Sequence, residues 1–564
     1  MSSLSNNLKR ERSRDKTTTG SRFLCFDFLL KLLLCIMPLG LFLSYHPVIK
    51  LGESESMYFE LSVAEIWLVV FDIVGLIALI QKRMLFRDCR KWWVMILLPL
   101  WITLSVVWSL NTTRGILTAG LMWCMVMAVY IIWTLRSEFD SQFRRKWLGW
   151  FLGSTLVVCL WCVVQCVLDF VGVPQNCSLL CDGCTYRMFG FPHPNGFAIE
   201  PQFMGNLLLA PIVVIAWLLL VGNCNSVFRG RVARARRYGV STLILGRASE
   251  KPFKTLLSVA SKKNHDNDSS LFLCFKFLLF CFFITNMTLF LTFSRGAIYA
   301  FIVGMLFMSG YAVARSEKKK RSVMWKRVGM MWGFVVGAFV VALVGQGMMA
   351  EVSPTSDAFS DGVAKVVNHL SLGIIDLKGK SAKTEVEPVE KPVEKSGGKK
   401  LEEDSGGGFG EEAEEEDRNG GKEEAVFSGY VAESTDTRVR LSGAALQIWS
   451  SDFKTMVLGV GIGGAGQALY NNGLSPAPRE IVQNEYASLL LETGLVGVIL
   501  AVIIMVFVIK WMIKSHREMG LVLSLLVAYG VSLMFFSGLP NALHIYLMPM
   551  MIMVLSNKER VVTK

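Results

Sequence analysis

The sequence predicts an all-α polytopic membrane protein of about twelve spans with a large, low-complexity loop between the late ones. Three observations carry that expectation. Of 564 residues, 52% are hydrophobic and only 18% charged, below the roughly one quarter charged that soluble domains carry. Apolar runs of about 20 residues recur, each long enough to cross a hydrocarbon core as a helix. Between them, alternate connections are basic. A net charge of +13 would suggest nucleic acid in a soluble chain, but its placement here reads as membrane orientation.

In chain order, a basic tail (1–22) carries Lys9, Arg10, Arg12, Arg14, Lys16 and Arg22. The apolar run after it is too long for a signal sequence and has no clear small-residue cleavage site, so it reads as a retained first span. Spans are expected at about 23–43, 61–80, 92–110, 115–135, 147–170, 197–221, 271–292, 296–314 and 328–349, forming a first bundle over 23–349. Three more, at about 487–509, 518–537 and 541–556, form a second bundle over 487–556, and a short tail (557–564) follows. Twelve spans put both termini on one side. The basic connections Gln81–Lys91, Arg136–Lys146, Asn223–Ser270, Arg315–Arg327 and Lys510–Arg517 make that side cytoplasmic.

Asn223–Ser270 holds ten Lys/Arg against three acids, a net of +7. It lacks the interleaved aromatics of a nucleic-acid platform and reads as a solvated loop touching anionic lipid, with no nucleic-acid partner expected. The long loop (350–486) lies outside. From Glu351 to Asp436 it has 21 acids and 10 bases, a net of −11. Its acidic part, about 376–425, buries too little apolar surface to fold alone. Order is expected over about 426–486, with a surface helix over Arg438–Trp449.

Thirteen cysteines are scattered, mostly in apolar runs, where they act as small hydrophobes. Cys177, Cys181 and Cys184 lie outside and could form one disulfide; a single C-x-x-C without a second pair argues against zinc, and no metal or cofactor is expected. Asp72 and Asp169 are expected to make interhelical hydrogen bonds.

Arg187, Arg295, Arg438 and Arg440 lie at the expected outer face, against the positive-inside bias. Arg295 sits in Phe293-Ser294-Arg295-Gly296, a connection so short that its guanidinium must stay near the interface. Guanidinium groups grip phosphate oxygens in bidentate fashion and keep their charge. Lipid-headgroup snorkelling, or pairing with Glu200 or Glu485, is the plainer account of any single one. Tyr186–Gly196 is a proline-rich turn holding Arg187, His193 and Asn195. Gly459-Val460-Gly461-Ile462-Gly463-Gly464 lacks the strand and Lys-Ser/Thr of a nucleotide loop, and reads as a turn where backbones approach closely. Gln483-Asn484-Glu485 and Glu492 open the tenth span, either as caps or as functional groups. His544 opens the last span.

Together Arg187…Asn195-Gly196, Phe293-Ser294-Arg295-Gly296, Arg438…Trp449…Gly459–Gly463 and Asn484-Glu485…Glu492-Thr493-Gly494 resemble the O-antigen ligase / Wzy-type polymerase family of bacterial membrane glycosyltransferases, over roughly Arg187–Gly497. The resemblance implies transfer of a glycan from undecaprenyl diphosphate to a glycan, lipid or protein hydroxyl outside the cell membrane. It implies a diphosphate held by Arg187, Arg295 and Arg438 or Arg440, with His193, Asn195, Asn484 and Glu492 in support. The family commonly has His-Asn where this chain has Gln483-Asn484. Glutamine takes no proton at neutral pH, so Glu485 or His544 acts as base, or Gln483 orients the acceptor, or the chain is a divergent, inactive member. A transporter or flippase of an anionic lipid-linked solute is the alternative from another class.

Overall fold

The computed structural model describes residues 26, 28–43, 62–86, 89–171, 186–188, 191–198, 200–221, 266–349, 437–475, 477–478, 480–515, 519–537 and 543–556. Both tails, Cys177, Cys181, Cys184 and the acidic part of the long loop lie outside the described residues.

The described chain is helical apart from one short hairpin. Helix α1 covers Phe28–Phe42, α2 Val63–Gln81, α3 Cys89–Ser105, α4 Thr112–Leu135 and α5 Ser141–Phe170. The strands Tyr186–Met188 (β1) and Phe191–His193 (β2) pair antiparallel, with Arg187 opposite Pro192. Next come α6 Pro201–Val221, α7 Asp266–Leu291, α8 Arg295–Arg315 and α9 Arg321–Met349. After the long loop, α10 runs over 437–449. Two short helices follow, α11 Phe453–Leu458 and α12 Ala465–Asn471, before α13 Glu485–Ser515, α14 Met519–Ser532 and α15 Leu543–Ser556. Seven of these helices are long and apolar enough to cross a membrane, and five shorter apolar ones accompany them.

Polar residues start the helices where the sequence supplies them. Ser62 and Glu65 form a reciprocal capping box on α2, Asn111 caps α4 and Asp140 caps α5. Each satisfies amides that the first turn leaves without acceptors. Asn484 does the same for α13, its Oδ1 accepting from Tyr486 N at 3.0 Å and Ala487 N at 3.2 Å. The capping account of that stretch therefore holds for Asn484.

Helix α6 is the axis of the bundle. Leu207–Val213 is completely enclosed apart from Pro211, itself buried, and α7, α8, α9, α14 and α15 pack around it. Small residues set the close crossings, as is usual between membrane helices. A Cβ on Gly304 of α8 would lie 2.8 Å from Ala528 of α14. By contrast, α9 and α13 turn Val336, Val340, Ile499, Val502 and Val506 outward, an apolar surface suited to lipid. A second, smaller core joins Leu441, Ala445 and Ile448 of α10 to Leu469 of α12 and Leu491 of α13. It seats the ordered end of the long loop on the bundle.

Asp72 corrects an expectation. Both its carboxylate oxygens are buried on α2 with no hydrogen-bond partner among the described residues. The reason is its neighbour: α4 offers Cys124 beside it and Ile131 against Gly75, and neither supplies a strong donor.

Candidate functional site

Helix α7 stops one residue before Thr292, whose hydroxyl turns back to Leu289 O at 2.7 Å. Phe293 then adopts a left-handed φ of 46°, uncommon for a residue with a side chain. Its ring lies on the His193 imidazole, centroids 4.7 Å apart, so tertiary packing holds the strained residue in place. Ser294 follows as N-cap, and Arg295 is the first residue of α8, only 8% exposed. Fitting this turn against α6 requires Gly205, where a Cβ would sit 2.8 Å from that of Ser294.

The carboxyl-terminal end of α14 closes the other side. Phe535 fills the space beside Gly296 and lies tilted against Tyr299, which feels the charge of Arg295. Gln202 of α6 donates its Nε2–H to Phe535 O at 3.0 Å, leaving its Oε1 to face Arg438 Nη2 of α10 at 3.5 Å. Behind it, Asn206 donates to Gln202 O and accepts from Ser532 Oγ. Helix α13 starts on the same end: Glu485 N donates to Leu533 O at 2.9 Å and Tyr486 Oη to Gly530 O at 2.7 Å. Arg295, Arg438 and buried Glu485 thus gather around residues 530–535, although 190 residues of sequence separate the first from the last. Gln483 precedes this start, with its Oε1 buried and no hydrogen-bond partner among the described residues.

The hairpin joins through backbone. Gln165 of α5 clamps Gly196, accepting from its N–H at 2.9 Å and donating to its carbonyl at 3.0 Å, with Asn195 Oδ1 at 3.2 Å. Asn195 in turn donates to Ala198 O. Gly196 has φ +63°, the conformation that lets the turn close. His193 is thereby held over Phe293, with Arg187 on the paired strand. Gln165→Leu, similar in size, strips both partners from a buried peptide unit, each worth about 1–3 kcal/mol. Thermal unfolding in detergent is expected to show a loss of at least ~2 kcal/mol by the same measure.

Arg440 is exposed on α10, two residues past Arg438 and so about 200° around the helix. Of the two, Arg438 is the one that meets Gln202. His544 is fully buried on α15, which packs on α4 and α6.

Glu492 has a different task. α13 is broken at Gly494 (φ 65°, ψ −171°), and the break frees carbonyls that membrane-depth backbone must satisfy internally. The glycine turn supplies donors: Val460 N to Leu491 O at 2.9 Å and Gly461 N to Glu492 O at 3.0 Å. Trp101 Nε1 takes Thr493 O at 3.0 Å. The Glu492 carboxylate accepts from the Gly463 and Ala465 amides and attracts the Arg114 guanidinium. On its far side the turn meets Ser105 and Ser109, with Ile462 N donating to Ser105 Oγ and Ser109 Oγ to Ile462 O. The expected close approach of backbones is what the glycines serve: φ is +75° at Gly459, +89° at Gly461 and +77° at Gly463.

Gln165, Gln202 and Arg114 escaped the sequence reading. Amides carry no periodic or charge signal, and Arg114 sits at a helix start that resembles any span boundary. Among the described residues no cluster of His, Cys, Asp or Glu could hold a metal ion. Comparison with protein-family models, curated proteins and solved structures finds no match to the chain.

Proposed function

We propose that this chain is a twelve-span glycosyltransferase with cytoplasmic termini and an outer loop, moving a glycan from a polyprenyl diphosphate to an acceptor hydroxyl. The observation that carries the reading is that Arg438 meets Gln202, which bonds Phe535, while Arg295 directly precedes Gly296, packed on that same Phe535, at one end of a membrane bundle. Two fixed positive groups at such a place suit a diphosphate, whose own acidity makes it a good leaving group once its charge is met. The acceptor oxygen bonds to the sugar anomeric carbon while the carbon–oxygen bond to diphosphate breaks. The electron pair leaves on the diphosphate, and the hydroxyl proton passes to Glu485, whose backbone amide meets Leu533 beside that junction. Gln483 orients the acceptor.

Purified protein in nanodiscs, given undecaprenyl-diphosphate glycan and a hydroxyl-bearing lipid or glycan, should yield lengthened product without nucleotide or metal. Product formed equally well by empty nanodiscs would end the proposal. A second reading, transport of an anionic lipid-linked solute, draws on Asp72 within α2. Vectorial flux in sealed vesicles without any transfer would select it.

A further inference from the structure

We propose that Asp72 is an intramembrane proton-binding site: its carboxyl group carries an exchangeable proton at the lipid edge of the α2–α4 packing, where lipid-soluble carbodiimides can modify it. Such a site is independent of glycan transfer and of solute transport.

Asp72 lies midway along α2, a helix long and apolar enough to cross a membrane. The residue is 9% exposed, and neither carboxylate oxygen has a hydrogen-bond partner among the described residues. Neither Lys31 of α1 nor any other cation among those residues pairs with it. The titratable group that α4 sets beside it is the Cys124 thiol, while Arg114 of that helix is drawn to Glu492 and Tyr130 Oη donates to Leu85 O. On α1, which meets α2 where Gly40 packs on Trp67, Cys35 feels the charge of Lys146. Lys82, just past the end of α2, pairs with Glu138 at 3.6 Å. Glu65, earlier on the same helix, is occupied in the capping box, its Oε2 accepting from Ser62 N at 2.7 Å. A carboxylate with neither counter-charge nor donor is costly at membrane depth, and such residues are where membrane proteins hold and pass protons. A proton removes the charge and needs no cavity. That fits the tight α2–α4 contact, in which a Cβ on Gly75 would lie 2.6 Å from Ile131. A metal ion asks for several donors, and no group of three His, Cys, Asp or Glu side chains among the described residues supplies them. Val69 and Ile73, three residues before Asp72 and one after it, are exposed, so the carboxyl borders the apolar surface that α2 turns to lipid.

The test treats the full-length protein in nanodiscs at neutral pH with dicyclohexylcarbodiimide, and in parallel with a water-soluble carbodiimide, and locates adducts by peptide mass spectrometry. The acid O–H adds across one C=N bond: the proton goes to nitrogen and the carboxyl oxygen to the central carbon. The O-acylisourea so formed rearranges to a stable N-acylurea with no atom lost. The lipid-soluble reagent should mark the Asp72 peptide, and the water-soluble one should mark exposed Asp452 instead. Asp72→Asn should lose the Asp72 adduct. It should also lose an infrared carbonyl band of a protonated acid that shifts when the wild type is moved into D2O. Asp72→Leu, which buries no polar atom, should hold its melting temperature. Because the adduct is located in the wild-type protein, a variant that folds poorly leaves that result standing. A wild-type Asp72 peptide left unmarked by the lipid-soluble reagent overturns the site, as does marking by the water-soluble reagent alone, which means an ionised group in water. A carbonyl band that D2O leaves unshifted also overturns it, because the proton would then not exchange.

Discussion

Arg295→Ala is expected to lower kcat/KM for glycan transfer by about 10²–10³, the loss typical when one donor to developing anionic charge is removed. The position explains the size. Arg295 opens α8 at a turn that Phe293, His193, Gly205 and Phe535 fix from four directions, so its charge is positioned before substrate arrives. In a low-dielectric setting such a charge acts more strongly than one on a mobile surface side chain. Arg295→Lys keeps the charge and loses the bidentate fork, and should recover only part of the rate. Initial rates of product formation, with melting temperatures alongside, check both variants. A rate equal to wild type in Arg295→Ala would remove the residue from the mechanism. A melting temperature that falls in proportion to the rate would assign it to the fold.

Gly461→Ala is expected to destabilise the folded protein by at least about 3 kcal/mol, combining left-handed backbone strain with overpacking. Its φ is +89°, and an added Cβ would collide with Ser109 Cα and lie 2.7 Å from Ser109 N. Both contacts are backbone, so neither can swing aside. Gly443→Ala on α10 is the control, because nothing lies within 4 Å of its Cβ position and alanine favours the helix. Thermal or denaturant unfolding in micelles should separate the two. Equal stabilities would mean that the turn is not clamped between α13 and the α3–α4 connection.

Much of the architecture is legible from hydropathy because lipid imposes one rule, that backbone polar groups pair within the segment. The expected spans at 197–221 and 296–314 become Pro201–Val221 and Arg295–Arg315, with ends displaced by a few residues. The surface helix after Arg438 forms over 437–449. Less visible were features set by tertiary pairing. Gly494 lies in an apolar stretch that reads as continuous helix, and only its partners Val457 and Gly459 reveal the break. The Tyr186–Gly196 turn contains a two-stranded hairpin, in which Pro192, without an N–H to donate, stands opposite Arg187. Of the candidate residues, arginines stand out because charge is rare in such a chain. Gln202 and Gln165 do not, because their meaning lies in which carbonyl each amide meets.

The clasp between Ser109 and Ile462 joins residues 353 positions apart in the chain. A ribosome adding about 5–20 residues per second needs roughly twenty seconds to a minute to make the intervening stretch. Until then the bend after α3 has no mate, although α2, α3 and α4 have what they need to pack on one another. A nascent chain stopped before Gly459 would therefore lack the partner that closes this seam.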